Sequence, residues 1–173
     1  MVRSSVKSVF NFDSVGLMNI ISDMNQDQFA DKPVIYGGAI NQGRVNFKVE
    51  LARVKKKMEA GATFFMTQPV FSDEDISRLR QIKEETGARI LCGIMPFVSL
   101  RNATFMKNEM TGINVTDEIL ARYSADMTKE EGEETGIQIA KEIITKTSDF
   151  VDGYYFSFPF NRVHTVSYTH LTL

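Results

Sequence analysis

The chain has a single cysteine, Cys92, so neither a disulfide framework nor a cysteine-based metal site can be assembled from its own residues. Cys92 sits between Leu91 and Ile94 with no histidine near it in sequence, the setting of a buried, inert thiol, and one such cysteine suits a reducing cytoplasm. Histidine is nearly as scarce. His164 and His170 both fall close to the C-terminus and match no metal-ligand spacing, so no metal is assigned. Charge of one sign is also lacking: 20 Lys and Arg stand against 22 Asp and Glu, interleaved along 173 residues, for a net charge of -2. That leaves no basic field for nucleic acid. No apolar run approaches the roughly 20 residues that span a bilayer, and Met1-Val2-Arg3-Ser4-Ser5 has no signal-peptide core behind it. The expectation is a soluble cytoplasmic chain with no membrane partner.

What is present is a rhythm. With 43% hydrophobic and 24% charged residues the composition is that of one globular domain. Short β-branched and aromatic runs alternate with longer stretches of helical period, as in βα units on a parallel sheet. Four runs read as strands: Pro33 to Ala39, Thr63 to Pro69, Arg89 to Pro96 and Gly153 to Pro159. A helix is expected from about Asn46 to Ala60, where Phe47, Leu51, Val54 and Met58 form an apolar stripe and Gly61 stops it. Ser72, followed by Asp73, Glu74 and Asp75, opens a second that ends near Gly87. One or two helices are expected from Arg101 to Ala125, then a long one from about Lys129 to Thr147 with Ile137, Ala140, Ile143 and Ile144 inward. Ahead of the first strand, Leu17, Ile20, Ile21 and Met24 mark a helix that Asp13 or Ser14 can cap.

Four strands with their helices fit the C-terminal half of a (β/α)8 barrel, a fold of about 250 residues when whole. An open doubly wound sheet is the alternative, weakened because no Gly-x-Gly-x-x-Gly loop follows any strand. Barrels place their chemistry where strands end, so the polar residues there are the candidates. Gly37-Gly38 and Asn41 follow the first run; the glycines serve either a tight turn or a ligand's close approach. Gln68 ends the second, either capping the strand or offering an amide to a heterocycle edge. Ser99, Arg101 and Asn102 follow the third, Asn161 and Arg162 the fourth. Glu50, Arg53 and Lys57, at i, i+3 and i+7, share a helix face that is either a solvated ion-pair stripe or, if it faces the barrel mouth, a phosphate site.

Five motifs then fall in order: Tyr36-Gly37-Gly38-Ala39-Ile40-Asn41, Leu51 through Ala62 with Lys57-Met58-Glu59-Ala60-Gly61, Thr67-Gln68-Pro69-Val70-Phe71, Gly93-Ile94-Met95-Pro96 and Phe160-Asn161-Arg162. Over roughly Ser8 to Val163 they resemble the methylenetetrahydrofolate reductase family, especially the reductase module that some bacteria fuse behind a homocysteine methyltransferase. The resemblance implies a barrel over residues 1–165 that holds FAD, takes hydride from NADH or NADPH, and reduces a folate substrate, 5,10-methylenetetrahydrofolate, to 5-methyltetrahydrofolate. It implies substrate contacts from Gln68, Asn102 and Arg162, and cofactor contacts from Gly37, Asn41, Glu50, Arg53 and Lys57. Asn41 stands where many members have a histidine, Gly37 where they have a tyrosine, and Asn102 where they have a glutamine. The family's catalytic acid and flavin-tuning aspartate belong to a part preceding this chain, so no catalytic residue is expected here and the chain alone should be inactive. A full-length parent is expected to be a homo-oligomer.

A half barrel also exposes two strand edges and one apolar sheet face, which predicts association with another half. A non-catalytic half-barrel that self-associates or binds a partner is therefore the rival reading. A third reading, an unrelated phosphate-binding barrel half, calls for a glycine-rich loop after the last strand, where Tyr154 to Phe160 is aromatic instead. Residues 166–173 depart from the family pattern and are expected to be a non-native or irregular tail.

Overall fold

In the computed structural model, which describes residues 12–158, ten elements follow in the order α1 (Ser14–Gln26), β1 (Gly37–Ile40), α2 (Phe47–Glu59), β2 (Phe64–Pro69), α3 (Asp73–Thr86), β3 (Ile90–Ile94), α4 (Leu100–Glu109), α5 (Asp117–Ala121), α6 (Lys129–Thr147) and β4 (Gly153–Phe156). Each helix starts where a side-chain oxygen can take an otherwise unpaired backbone N–H. Asp13, Asn46, Ser72, Ser99, Thr116 and Thr128 fill those positions, and Thr128 with Glu131 completes a capping box. Gly87 closes α3 with φ 65°, a left-handed backbone that favours glycine.

The strands form one parallel sheet in the order β1-β2-β3-β4. Consecutive right-handed crossovers in a sheet that never reverses direction lay their helices on the same face. The register agrees. Gly38, Phe65, Ile90, Cys92 and Tyr154 occupy one face, where Lys57 of α2 reaches Gly38 and the Tyr154 hydroxyl donates to the Ile144 carbonyl of α6 at 3.1 Å. Phe65, Ile90, Cys92 and Ile94 are all buried there, together with Val54, Leu79, Ile82 and Ala140 from the helices. The described sheet has no point at which strand order reverses, the feature around which a doubly wound fold is built.

The other face carries Gly37, Phe64, Met66, Leu91, Gly93 and Tyr155, and no described helix covers it. Aromatic rings lie over its glycines: a Cβ on Gly37 would meet the Phe64 ring at 2.5 Å, and one on Gly93 would meet the Tyr155 hydroxyl at 2.6 Å. Glycine serves a different purpose in α6. Cβ atoms on Gly132 and Gly136 would stand 2.4 and 2.0 Å from the carbonyl oxygens of Val98 and Phe97, so their absence lets the helix seat against the backbone after β3.

Three expectations are corrected. The first strand is shorter than Pro33 to Ala39: Asn25 of α1 binds both backbone groups of Val34, at 2.8 and 3.0 Å, so these are already occupied before pairing begins at Gly37. Gly37 and Gly38 consequently lie inside β1, not in a turn after it. In α1 the buried residue is Met18, while Leu17 is 54% exposed, so the stripe is rotated by one position from the expected one.

Candidate functional site

The polar residues that the sequence singles out meet at the C-terminal ends of β1 and β2. β1 pairs with β2 as far as Ile40, and just past it the Asn41 N–H donates to Glu50 Oε1 at 3.0 Å. Glu50, in the first turn of α2, is 2% exposed and also holds the Arg44 guanidinium at 3.3 Å through Oε2. Two turns on, Lys57 is 5% exposed and donates to the Ala39 carbonyl at 2.5 Å. Burial lowers the Lys57 ammonium from its ordinary value, the Glu50 charge opposes that, and Arg53 and Arg44 add to it. The solvated ion-pair reading of this helix face is thus overturned for Glu50 and Lys57, whose charged ends turn inward, Glu50 to the Asn41 amide of the loop and Lys57 to the Ala39 carbonyl of β1. Arg53, between them, is half-buried, and no ion pair to it occurs among the described residues.

Gln68 stands at the end of β2 in an irregular stretch. Met66 pairs with Leu91 and Pro69 with Gly93, so two residues of β2, Thr67 and Gln68, oppose the single Cys92 of β3, a β-bulge. Four contacts fix it. Gln42 accepts the Gln68 N–H at 3.1 Å and donates to the Gln68 carbonyl at 2.9 Å, Thr67 Oγ1 accepts the Gly93 N–H at 2.9 Å, and the Tyr155 hydroxyl donates to the Thr67 carbonyl at 2.5 Å. The side-chain amide of Gln68, half-buried, takes no hydrogen bond among the described residues. Its two donors and one acceptor are available to a ligand.

The loop between β1 and α2 is pinned from behind. Arg78 of α3 donates to the carbonyls of Gln42 and Arg44 at 2.8 and 3.2 Å, lies over the Phe47 ring at 5.4 Å, and pairs with Glu74 at 2.5 Å. Asn41 packs against Gly112, whose φ of 91° and missing Cβ leave room for the amide. Asn41 Oδ1 is buried without a hydrogen-bond partner, as is Oδ1 of Asn102 in the first turn of α4. Such orphaned acceptors are uncommon and call for a reason. Asp75, behind Ser72 at the start of α3, is 1% exposed with neither carboxylate oxygen fully bonded, and burial pushes it up to about 6 despite Ser72 and Arg78 nearby.

The structure thus brings Asn41, Glu50 and Gln68 to one rim, with the Lys57 ammonium just below it at Ala39, and sets Asn102 after the next strand. Gly37 is apart from them, at the first residue of β1 and about 10 Å from Ile40 along an extended strand. Arg162 lies outside the described residues, as do Asn161, both histidines and residues 166–173. A cleft of about 700 Å³ opens between the starts of α4 and α6, with Ser99, Arg101, Phe105, Thr128 and Lys129 among its lining. It adjoins the helix of Asn102, not Gln68. Gln42, Arg44 and Arg78 are the residues that sequence reasoning missed: each reads as an ordinary polar residue of a loop or helix surface, and only the bulge gives Gln42 a task.

The sequence model of the family described as Methylenetetrahydrofolate reductase matches residues 7–157. Among solved structures, an uncharacterized protein from Clostridium thermocellum that binds two copies of 5-methyl-5,6,7,8-tetrahydrofolic acid superposes with a TM-score of 0.59 at 16% identity. The superposition covers 92% of this chain and 57% of that one, so the chain spans little more than half the neighbour's length. No curated protein matches.

Proposed function

The chain belongs to the methylenetetrahydrofolate reductase family, and from that premise we propose that it supplies the C-terminal half of a (β/α)8 barrel in which FAD and a reduced folate meet. The reaction is reduction of 5,10-methylenetetrahydrofolate to 5-methyltetrahydrofolate with NADH or NADPH, in the cytoplasm, by a longer, oligomeric parent. One observation carries this reading: at the C-terminal end of β2, Gln68 presents an amide with no hydrogen-bond partner among the described residues, beside a rim where Lys57 and Glu50 are turned inward. Barrels build their sites at that end of the strands. The one-directional strand order and the uncovered sheet face support the half-barrel.

The residues fit the flavin. Lys57 uses one of its three donors on Ala39, Arg53 is half-buried with no ion pair among the described residues, and both are suited to a diphosphate. Glu50 retains acceptor capacity for a ribose hydroxyl, and the orphaned Asn41 Oδ1 is an acceptor for a ring N–H or hydroxyl. FAD, when bound, supplies the hydride relay between nicotinamide and folate. The chain's own work is to bind and orient. Gln68 pairs with the edge of the pterin or nicotinamide ring, and Asn102 and Arg162 flank the substrate from the later strands. Gly37, at the base of β1, would meet the cofactor only through the Phe64 ring that covers it. Proton delivery to the leaving nitrogen falls to an acid in the preceding half of the family barrel, so the chain alone is inactive.

The uncovered face favours a second reading. Met66 is 39% exposed in mid-strand and Phe64, Leu91 and Tyr155 are half-buried around it, an apolar surface suited to a second half-barrel of the same kind. On that reading the protein is a non-catalytic self-associating half-barrel.

A flavin titration of the parent, extended upstream by about half a barrel, decides between them. The reductase reading expects a yellow protein, bleached by NADH or NADPH and reoxidised by methylenetetrahydrofolate, while this chain alone stays colourless. An extended protein that binds no flavin defeats it, and a discrete homodimer of this chain by light scattering then establishes the second.

A further inference from the structure

We propose that Gln42 is a positioning residue that sets the aim of Gln68 by holding the β2 bulge open. The inference rests on the reading of Gln68 as a ligand-binding residue and adds a residue which that reading does not include.

β1 and β2 pair in register up to Ile40 with Thr67, and a regular ladder would bring Asn41 opposite Gln68. It does not: pairing stops at Ile40, and the Asn41 N–H turns to Glu50. The Gln42 amide takes both backbone groups of Gln68 at once, donor to acceptor and acceptor to donor, at 2.9 and 3.1 Å, and the carbonyl also accepts from Thr67 Oγ1 at 2.7 Å. Gln42 also reaches the Pro69 carbonyl at 3.4 Å. A primary amide meeting a peptide unit in this way imitates a strand neighbour while fixing its angle.

The consequence is for direction. Side chains alternate faces along a strand, and an extra residue re-aims whatever stands on it. Gln68 stands on the bulge, so the orientation of its peptide decides where its amide points. Gln42 is 1% exposed and its own carbonyl accepts from Arg78 at 2.8 Å, so the clamp is rigid. Tyr155 holds the other end of the bulge through the Thr67 carbonyl.

No other side chain bridges the β1 loop to the peptide of Gln68 among the described residues. Because Glu50 anchors Asn41 and Gln42 is its neighbour, the clamp also ties the position of Gln68 to the Glu50 and Lys57 cluster. A ligand that engages one is met by a rim whose other half is already in place.

The test is a double-mutant cycle read by binding, in the longest form of the protein that the gene encodes. The probe is 5-methyltetrahydrofolate, titrated by calorimetry into wild type, Gln42→Met, Gln68→Met and the double variant, with flavin affinity measured beside it. Methionine keeps the length of each side chain and removes its hydrogen bonds.

Positioning predicts that Gln42→Met weakens folate binding roughly tenfold in the presence of Gln68, about the worth of one neutral hydrogen bond. In the Gln68→Met background the same change should cost less than about twofold, since there is nothing left to aim. Equal losses in both backgrounds, or no loss in either, overturn the proposal: the first marks a general structural role, the second none. If Gln42→Met does not fold, Tyr155→Phe, which releases the bulge at its other end, is put through the same cycle and judged by the same outcomes. A wild type that binds the folate with Gln68→Met binding equally well defeats the reading of Gln68 itself, and the positioning role with it. Loss on Gln68→Met without loss on Gln42→Met defeats positioning alone.

Discussion

The two faces of the sheet are made from alternate residues of the same strands and behave as different materials. On the helix side Phe65, Ile90, Cys92 and Ile94 are almost wholly enclosed, in one core cluster with buried side chains of α2, α3 and α6. On the other side Phe64 and Tyr155 lie flat over Gly37 and Gly93, and Met66 and Leu91 remain partly open. One face is filled by convergence of many elements; the other is covered by its own rings. The difference shows that burial, not residue type, decides what a position is worth, since adjacent phenylalanines at 64 and 65 belong to opposite regimes.

Truncating those phenylalanines gives the sharpest test. Phe65→Ala should destabilise by about 3–5 kcal/mol, and Phe64→Ala by about 1 kcal/mol, in urea unfolding of the same protein. Similar losses at both would break the comparison and mean that the open face is covered in solution.

The helix layer also encloses a carboxylate. Asp75 titrates at about 6 in the fold against 3.8 for an ordinary aspartate, so between those values the folded state holds the extra proton and stability falls as pH rises. Asp75→Asn should therefore gain on the order of 2 kcal/mol at pH 7, with the gain appearing between about pH 4 and 6 and vanishing below. A gain that does not depend on pH would disprove the assignment.

Smaller changes divide the glycines of β1. A Cβ at Gly38 would meet the enclosed Phe65 ring at 2.8 Å, and one at Gly37 the half-exposed Phe64 ring at 2.5 Å. Despite the closer contact, Gly37→Ala should cost under about 1 kcal/mol because its ring can swing outward, whereas Gly38→Ala should cost about 1–3 kcal/mol by overpacking. Thermal melts of the two variants suffice. The smallest effect is expected at Met66→Lys: stability within about 0.5 kcal/mol, with weaker self-association by light scattering if the open face is where copies meet.

Much of this architecture was legible beforehand. The four strands, the caps at Ser72 and Asp13, and the stripe around Val54 depend on local spacing, and local spacing is what a sequence displays. What escaped has non-local causes. Pro33 to Tyr36 looks like a strand, yet an asparagine nine residues before Val34 takes its backbone groups. Glu50 and Lys57 read as solvent-facing by residue type and are buried, Glu50 against the β1 loop whose Asn41 amide it takes and Lys57 against β1 itself at the Ala39 carbonyl. Gln68 stands out in the sequence by its place at a strand end, whereas Gln42, whose contacts with Gln68 cross 26 residues of chain, carries no such signal.

Cys92 has an experimental use of its own. It is the chain's one thiol, fully enclosed in the helix-side core, and burial pushes it up to about 12, so alkylating reagents meet no thiolate in the folded protein. The wild-type sequence is in that sense already a silent background for spectroscopy. A cysteine placed at Val45, 99% exposed on the loop before α2, would take a fluorophore alone and report on ligand arrival at the rim. The native thiol, slow to react until β3 parts from its neighbours, would meanwhile time the opening of the sheet as a chemical clock.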